Sequence, residues 1–166
     1  LGTTSTMDQS QISVTSLAAQ FPRALDLLAD VAQNPTFPQE EVERQRASRL
    51  ANLVALKSNP AQIAARIMAS ALYGTAHPYG YTELGTDASN KAVSRAAMEN
   101  YWKQQLVPGN AALVVVGAVS RKELEAMTTK AFAGWTGKAA TRAKLPAPGG
   151  TAAKLVIVDM PGAAQT

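Results

Sequence analysis

The stretch T-F-P-Q-E-E-V-E-R-Q-R-A-S-R-L-A-N-L-V-A-L-K-S-N-P, Thr36 to Pro60, decides the fold. Thr36 and Gln39 stand at capping-box spacing, and Glu40, Glu41 and Glu43 fill the first turns. Arg44, Arg46 and Arg49 follow, with Lys57 near the end, so the charges oppose the helix dipole. Val42, Arg46 through its stem, Leu50, Leu53 and Val54 recur as an inner stripe. The pattern predicts a long helix from Pro38 to Lys57, stopped by Ser58-Asn59-Pro60.

Helices continue on both sides. Upstream, F-P-R-A-L-D-L-L-A-D-V-A-Q-N-P carries Leu25, Leu28, Ala29 and Ala32 at helical spacing and ends at Asn34-Pro35. Downstream, Ala61 to Tyr73 reads as a helix closed by Gly74, and Gly74 to Asn90 as a long ordered loop. Lys91 to Val107 is expected to be helical, with Val93, Ala97, Tyr101 and Trp102 as its apolar positions, and Ser120 to cap a last helix. Three segments look like strands: Gln11 to Leu17, the apolar run A-A-L-V-V-V-G-A-V from Ala111 to Val119, and K-L-V-I-V-D-M from Lys154. Three strands beside so much helix predict an α+β domain whose mixed sheet, with helices on one face, is incomplete. The missing strands are expected before Leu1 or on a partner.

Bulk composition narrows the function classes. The chain of 166 residues suffices for one domain with a core, and 46% of it is apolar. A net charge of +4 is mild, and no aromatic residues interleave with the basic ones, so no nucleic-acid partner is expected. No apolar run approaches the roughly 20 residues of a membrane span, and none is expected. There is no cysteine, hence no disulfide framework and no thiolate chemistry. The start, L-G-T-T-S-T-M, has neither the basic nor the apolar part of an export signal and no initiator methionine, so a longer parent protein is expected.

The search for self-contained chemistry finds little. His77, in A-L-Y-G-T-A-H-P-Y-G, is the single histidine. Catalytic zinc takes three protein ligands, yet no Asp or Glu lies between Arg44 and Thr82, and Glu83 is the nearest acid downstream of His77. His77 is therefore expected to be a turn residue beside Pro78, bonded to the loop backbone. No G-x-S-x-G elbow, P-loop or dinucleotide fingerprint occurs. No catalytic and no metal-binding residue is assigned, and substrate-binding residues are left open.

The order of segments is more telling. L-A-A-Q-F-P-R-A-L-D-L-L-A-D-V-A-Q-N-P-T-F-P-Q-E-E-V-E-R-Q-R, then Y-G-T-A-H-P-Y-G, Y-W-K-Q-Q-L-V-P-G-N, A-A-L-V-V-V-G-A-V and F-A-G-W, resembles the insulinase/pitrilysin family of zinc peptidases, relatives of the mitochondrial processing peptidase. The resemblance covers nearly the whole chain. It implies α+β repeats that build a clamshell around unfolded peptides. It also implies, for active repeats, an H-x-x-E-H helix supplying two histidine ligands and a general-base glutamate, with a later glutamate as third ligand.

This chain departs from the active pattern. It has no H-x-x-E-H, and setting Glu43 and Arg46 on the family's E-x-x-R places the third-ligand position at or near Asn52, a neutral amide. The resemblance thus implies a non-catalytic repeat or subunit of a bacterial zinc metalloendopeptidase. Such a repeat would close the peptide chamber and help hold peptide, with zinc on a catalytic partner repeat or subunit and none here. Residues 1–136 would be the C-terminal part of one repeat, 137–150 a linker, and 151–166 the first strand of the next. The alternative is a structural or docking subunit of the same fold without proteolysis, like the core proteins of respiratory complexes. Family habit points to the periplasm, which the missing cysteines suit.

Overall fold

A computed structural model describes residues 1–139, 144–147, 152–153 and 155–160. The class is α+β. Two strands, β1 (Gly2–Ser5) and β2 (Ser10–Ser13), pair antiparallel with Gly2 opposite Ser13 and Ser5 opposite Ser10. Six helices follow: α1 (Phe21–Gln33), α2 (Gln39–Leu56), α3 (Pro60–Tyr73), α4 (Asp87–Ala92), α5 (Arg95–Gln105) and α6 (Arg121–Ala131). The chain divides into two compact units, Leu1–Arg46 with Lys91–Arg142, and Ala47–Asn90 with Ala143–Thr166.

In the first unit Ala24, Leu25, Ala29 and Ala32 of α1 are buried with Val42 and Val107. Small residues at this spacing let helices approach closely, and α1 lies against α6, where Gln33 Nε2 donates to the Ala131 carbonyl at 3.0 Å. Both tryptophans are anchored by their indole N–H: Trp102 donates to the Ala32 carbonyl at 3.0 Å and Trp135 to Leu106 at 3.2 Å. Phe37 meets Trp102 edge to face, ring centroids 5.8 Å apart, and adopts a left-handed φ of 41° in the bend before α2.

Several sequence expectations shift. The helix expected as one piece from Lys91 to Val107 is interrupted at Val93-Ser94, where Ser94 caps α5 by accepting the Ala97 amide proton. Restarting at Arg95 rotates the packed face, so Tyr101 is exposed while Met98 and Trp102 turn inward. The Thr36–Gln39 capping box does not form. The Pro38 carbonyl accepts from the Val42 amide, and the Gln39 side chain turns instead to Glu43 at 2.8 Å. Val54, expected inside, is 66% exposed.

The sheet differs most. Among the described residues it is a two-stranded antiparallel pair, not a mixed sheet, and the first expected strand is confined to Ser10–Ser13. Residues 111–116 have no ladder partner, although their apolar content is that of a covered strand. Residues 155–160 form no strand either, while Lys154 and 161–166 lie outside the described residues, as does much of the expected 137–150 linker. A strand is a pairing, and composition supplies only one side of it.

Candidate functional site

The helix on which the sequence comparison with active repeats expects the third zinc ligand is α2. Val42 is buried and Leu50 and Leu53 are half-buried, which fixes the rotation of the helix. Ten residues beyond Val42, Asn52 points to solvent, and its amide has no hydrogen-bond partner among the described residues. Glu41 and Glu43, the nearest acids on α2, are engaged by arginines one turn on. The Arg44 hydrogen bond holds the Glu41 carboxyl below its usual value, and the Arg46 hydrogen bond does the same for Glu43.

Arg46 and Arg49 share the face of α2 with the apolar stripe, and both are clamps. Arg46, with its side chain only 17% exposed, donates to the carbonyls of Lys91 (3.1 Å) and Val93 (2.7 Å) while pairing with Glu43. In this way it satisfies carbonyls at the C-terminal end of α4, which a helix otherwise leaves open. Arg49 donates to Asn90 Oδ1 at 2.8 Å and to the Glu83 carbonyl at 2.5 Å. From α3, Arg66 bonds Thr82 Oγ1 at 2.7 Å and the Gly85 carbonyl at 2.6 Å. The sequence showed these residues as a basic helical region with one useful stem. For Arg46 and Arg49 the helical spacing that sets them with Val42, Leu50 and Leu53 was the available sign that the guanidinium groups bind something internal.

His77 is where the sequence placed it, in a turn bonded to the loop backbone. It is 4% exposed, and its Nδ1 accepts the Tyr79 amide proton at 3.1 Å, capping the 3-10 turn Pro78–Gly80. Tyr73 and Tyr79 flank the imidazole at centroid distances of 5.0 and 5.3 Å. Glu83, the acid nearest in sequence, offers α2 only its backbone carbonyl.

Two grooves stand out among the described residues. One, of about 540 Å³, lies in the first unit between Phe21, Pro22, residues 115–119 and α6, and its single carboxylate, Glu123, is held in a helix cap. The other, of about 930 Å³ in the second unit, is lined by α3 with Ala152, Ala153, Val156, Val158 and Met160, without an acid or base other than Tyr73. Among the described residues no three of His, Cys, Asp and Glu cluster as metal ligands do. Zinc therefore finds no fitting donor set among the described residues: the amide of Asn52 is neutral, the Nδ1 of His77 accepts the Tyr79 amide proton, and Glu41 and Glu43 of α2 are paired with arginine.

Comparison with known proteins matches this picture. The model for insulinase (peptidase family M16) matches residues 2–87, and the model for the peptidase M16 inactive domain matches residues 92–165. The chain is 29% identical over 118 residues to the mitochondrial-processing peptidase subunit beta of Homo sapiens, covering 70% of this chain and 24% of that protein. An uncharacterized zinc protease of Mycobacterium tuberculosis is 27% identical over 116 residues, covering 70% and 26% respectively. The crystal structure of a peptidase M16 inactive domain from Pseudomonas fluorescens superposes with a TM-score of 0.72 at 30% identity, covering 81% of this chain and 32% of that one. The chain thus spans about a quarter to a third of the length of these relatives. With a family model matched over more than half its residues, and the inactive-domain model and solved structure matching as well, this chain belongs to the insulinase family of peptidases, M16, as a non-catalytic domain.

Proposed function

We propose that the chain is the non-catalytic part of a bacterial zinc metalloendopeptidase, and that it closes a peptide chamber and helps hold the peptide. The bond is cut elsewhere, by zinc-bound water on a catalytic repeat or subunit of the same family. The observation that carries this reading is the solvent-facing amide of Asn52 at the expected ligand position, on a helix whose Glu41 and Glu43 are held by arginines. The arginine clamps add support. Arg46, Arg49 and Arg66 rigidify residues 82–93 from two helices, as suits a wall rather than a reacting centre.

Residues 1–136 are assigned to one repeat and 151–166 to the start of the next. The bacterial assignment leans on the mycobacterial and Pseudomonas relatives. A periplasmic location agrees with the absence of cysteine, and fractionation of cells producing the full-length protein checks it.

Two measurements test the proposal. Calorimetry with zinc should give no 1:1 site of micromolar or tighter affinity, and finding one would sink the non-catalytic reading. Peptide cleavage should require a family partner carrying H-x-x-E-H, and a photoreactive peptide substrate should label this chain in the joint assembly. Cleavage by this chain alone, or a joint assembly in which it takes no label, would refute the chamber role.

A further inference from the structure

His77 is buried, yet the atom that holds its turn together is one a proton can take. Its Nδ1 accepts the Tyr79 amide proton at 3.1 Å, so the ring caps the turn only while that nitrogen keeps its lone pair. An imidazolium is a donor at both nitrogens. With a proton on Nδ1, two N–H groups face each other in this contact, and turning the ring over brings only a C–H to the place.

The surroundings do not rescue the charge. The titratable groups that face the ring are the phenols of Tyr73, from α3, and of Tyr79, from the turn itself, at centroid distances of 5.0 and 5.3 Å. No Asp, Glu, Lys or Arg among the described residues bonds to it. Phenol rings attract a cation weakly at this range, which does not offset a lost acceptor and a buried charge together.

The turn is also lightly fastened. Apart from Nδ1 it is closed by the Gly80 amide on the His77 carbonyl at 2.9 Å, and by two long bonds of 3.4 Å, His77 to Gly74 and Tyr81 to Pro78. The exposed Tyr81 hydroxyl adds one bond to the Thr75 carbonyl at 2.7 Å. Beyond Tyr81 the chain is fixed separately, by Arg49 on Glu83 and Asn90 and by Arg66 on Thr82 and Gly85. An opening that starts at His77 therefore stops there.

The geometry points to a proton-operated latch. Neutral His77 closes residues 75–81 beside α3; protonated His77 leaves for water and opens that segment while residues 82–90 stay fixed. The closed form belongs to the alkaline side and is lost as pH falls.

The test follows amide exchange at Tyr79 in the full-length protein at about pH 8 and about pH 5, the range over which histidines change charge. Labelling times are scaled to the intrinsic rate at each pH. Protection of Tyr79 should fall roughly tenfold in acid, the order of one buried hydrogen bond. The bonded amides of Gly85 and Asn90 should keep theirs. The ring signals of His77 in NMR, identified by their absence from H77N, should titrate together with the change in exchange. H77N, whose amide oxygen reaches the same N–H and takes no proton, should stay closed at both pH values, and H77A should be open at both. Unchanged protection in acid, a ring that titrates while Tyr79 stays protected, or H77N opening as the parent does would each overturn the proposal. Protection lost together at Tyr79, Gly85 and Asn90 would overturn it as well, because it reports general acid unfolding.

Discussion

The Nδ1 of His77 accepts the amide proton of Tyr79 at 3.1 Å, which makes the only histidine of the chain a cap for the turn after α3. Removing it leaves a part-buried N–H open, a loss of about 1 kcal/mol. H77A should therefore lower the urea midpoint measurably. H77N, whose amide oxygen reaches the same amide two residues on, should recover part of the loss. Equal midpoints for H77A and the parent would return the imidazole to the list of functional candidates.

Two glycines flank that turn and should respond differently. A Cβ on Gly80 would lie 1.9 Å from the Gly74 carbonyl oxygen, a backbone atom that cannot step aside. Gly74 meets nothing within 4 Å but has φ of 76°. G74A should cost about 1–3 kcal/mol through its glycine-only backbone alone. G80A should cost more, into the range of severe core changes. Denaturant melts of the two variants side by side check the order.

Arg66 holds Thr82 and Gly85 through separate guanidinium nitrogens. Lysine has no fork with which to reach both. R66K should lose at least one of these charge-assisted bonds, worth about 1.5–3 kcal/mol. Amide exchange in residues 82–86 should rise first, while α1 and α6 stay protected. Unchanged exchange there would show that the clamp is decorative.

At the start of α6, Ser120 and Glu123 form a reciprocal capping box. The Ser120 side-chain hydrogen bond, reinforced by its amide, holds the Glu123 carboxyl below its ordinary 4.5. A carboxyl depressed in the folded state contributes stability above its unfolded value, and that contribution is lost as pH falls through the lowered value. The first turn of α6 should thus fray below about pH 4.5 in the parent and at all pH values in S120A, which forfeits about 1 kcal/mol of cap. The Ser120 and Glu123 amide shifts, followed by NMR through acid, report it.

Restoring one carboxylate should not restore zinc. N52E adds an acid on an exposed face with no histidine or second acid clustered near it among the described residues. Calorimetry should find no micromolar zinc site in N52E, as in the parent. A tight site appearing with this one change would mean that the remaining ligands are already in place.

Most of the helices and the turn role of His77 were legible in the sequence, because each depends on neighbours a turn or two away, whereas α4 begins at Asp87 inside the stretch expected to be loop. Helical spacing of Leu25, Ala29 and Ala32 marks a buried face without any knowledge of what covers it, and the Ser120 cap is closed within four residues. The restart at Ser94 could have been suspected from its capping side chain, but the helical pattern from Lys91 onward masked it.

Only the tertiary structure decided the rest. That Arg46, Arg49 and Arg66 bind loop carbonyls, across separations of 19 to 47 residues, follows from where the chain returns, and composition does not encode that. The same reason separates the two kinds of strand. The β1–β2 hairpin brings its own partner within a few residues, whereas the apolar run at 112–116 specifies a surface that wants pairing and leaves open what pairs with it. Local periodicity is written in the chain; the supply of a distant hydrogen-bonding edge is a property of the assembled fold.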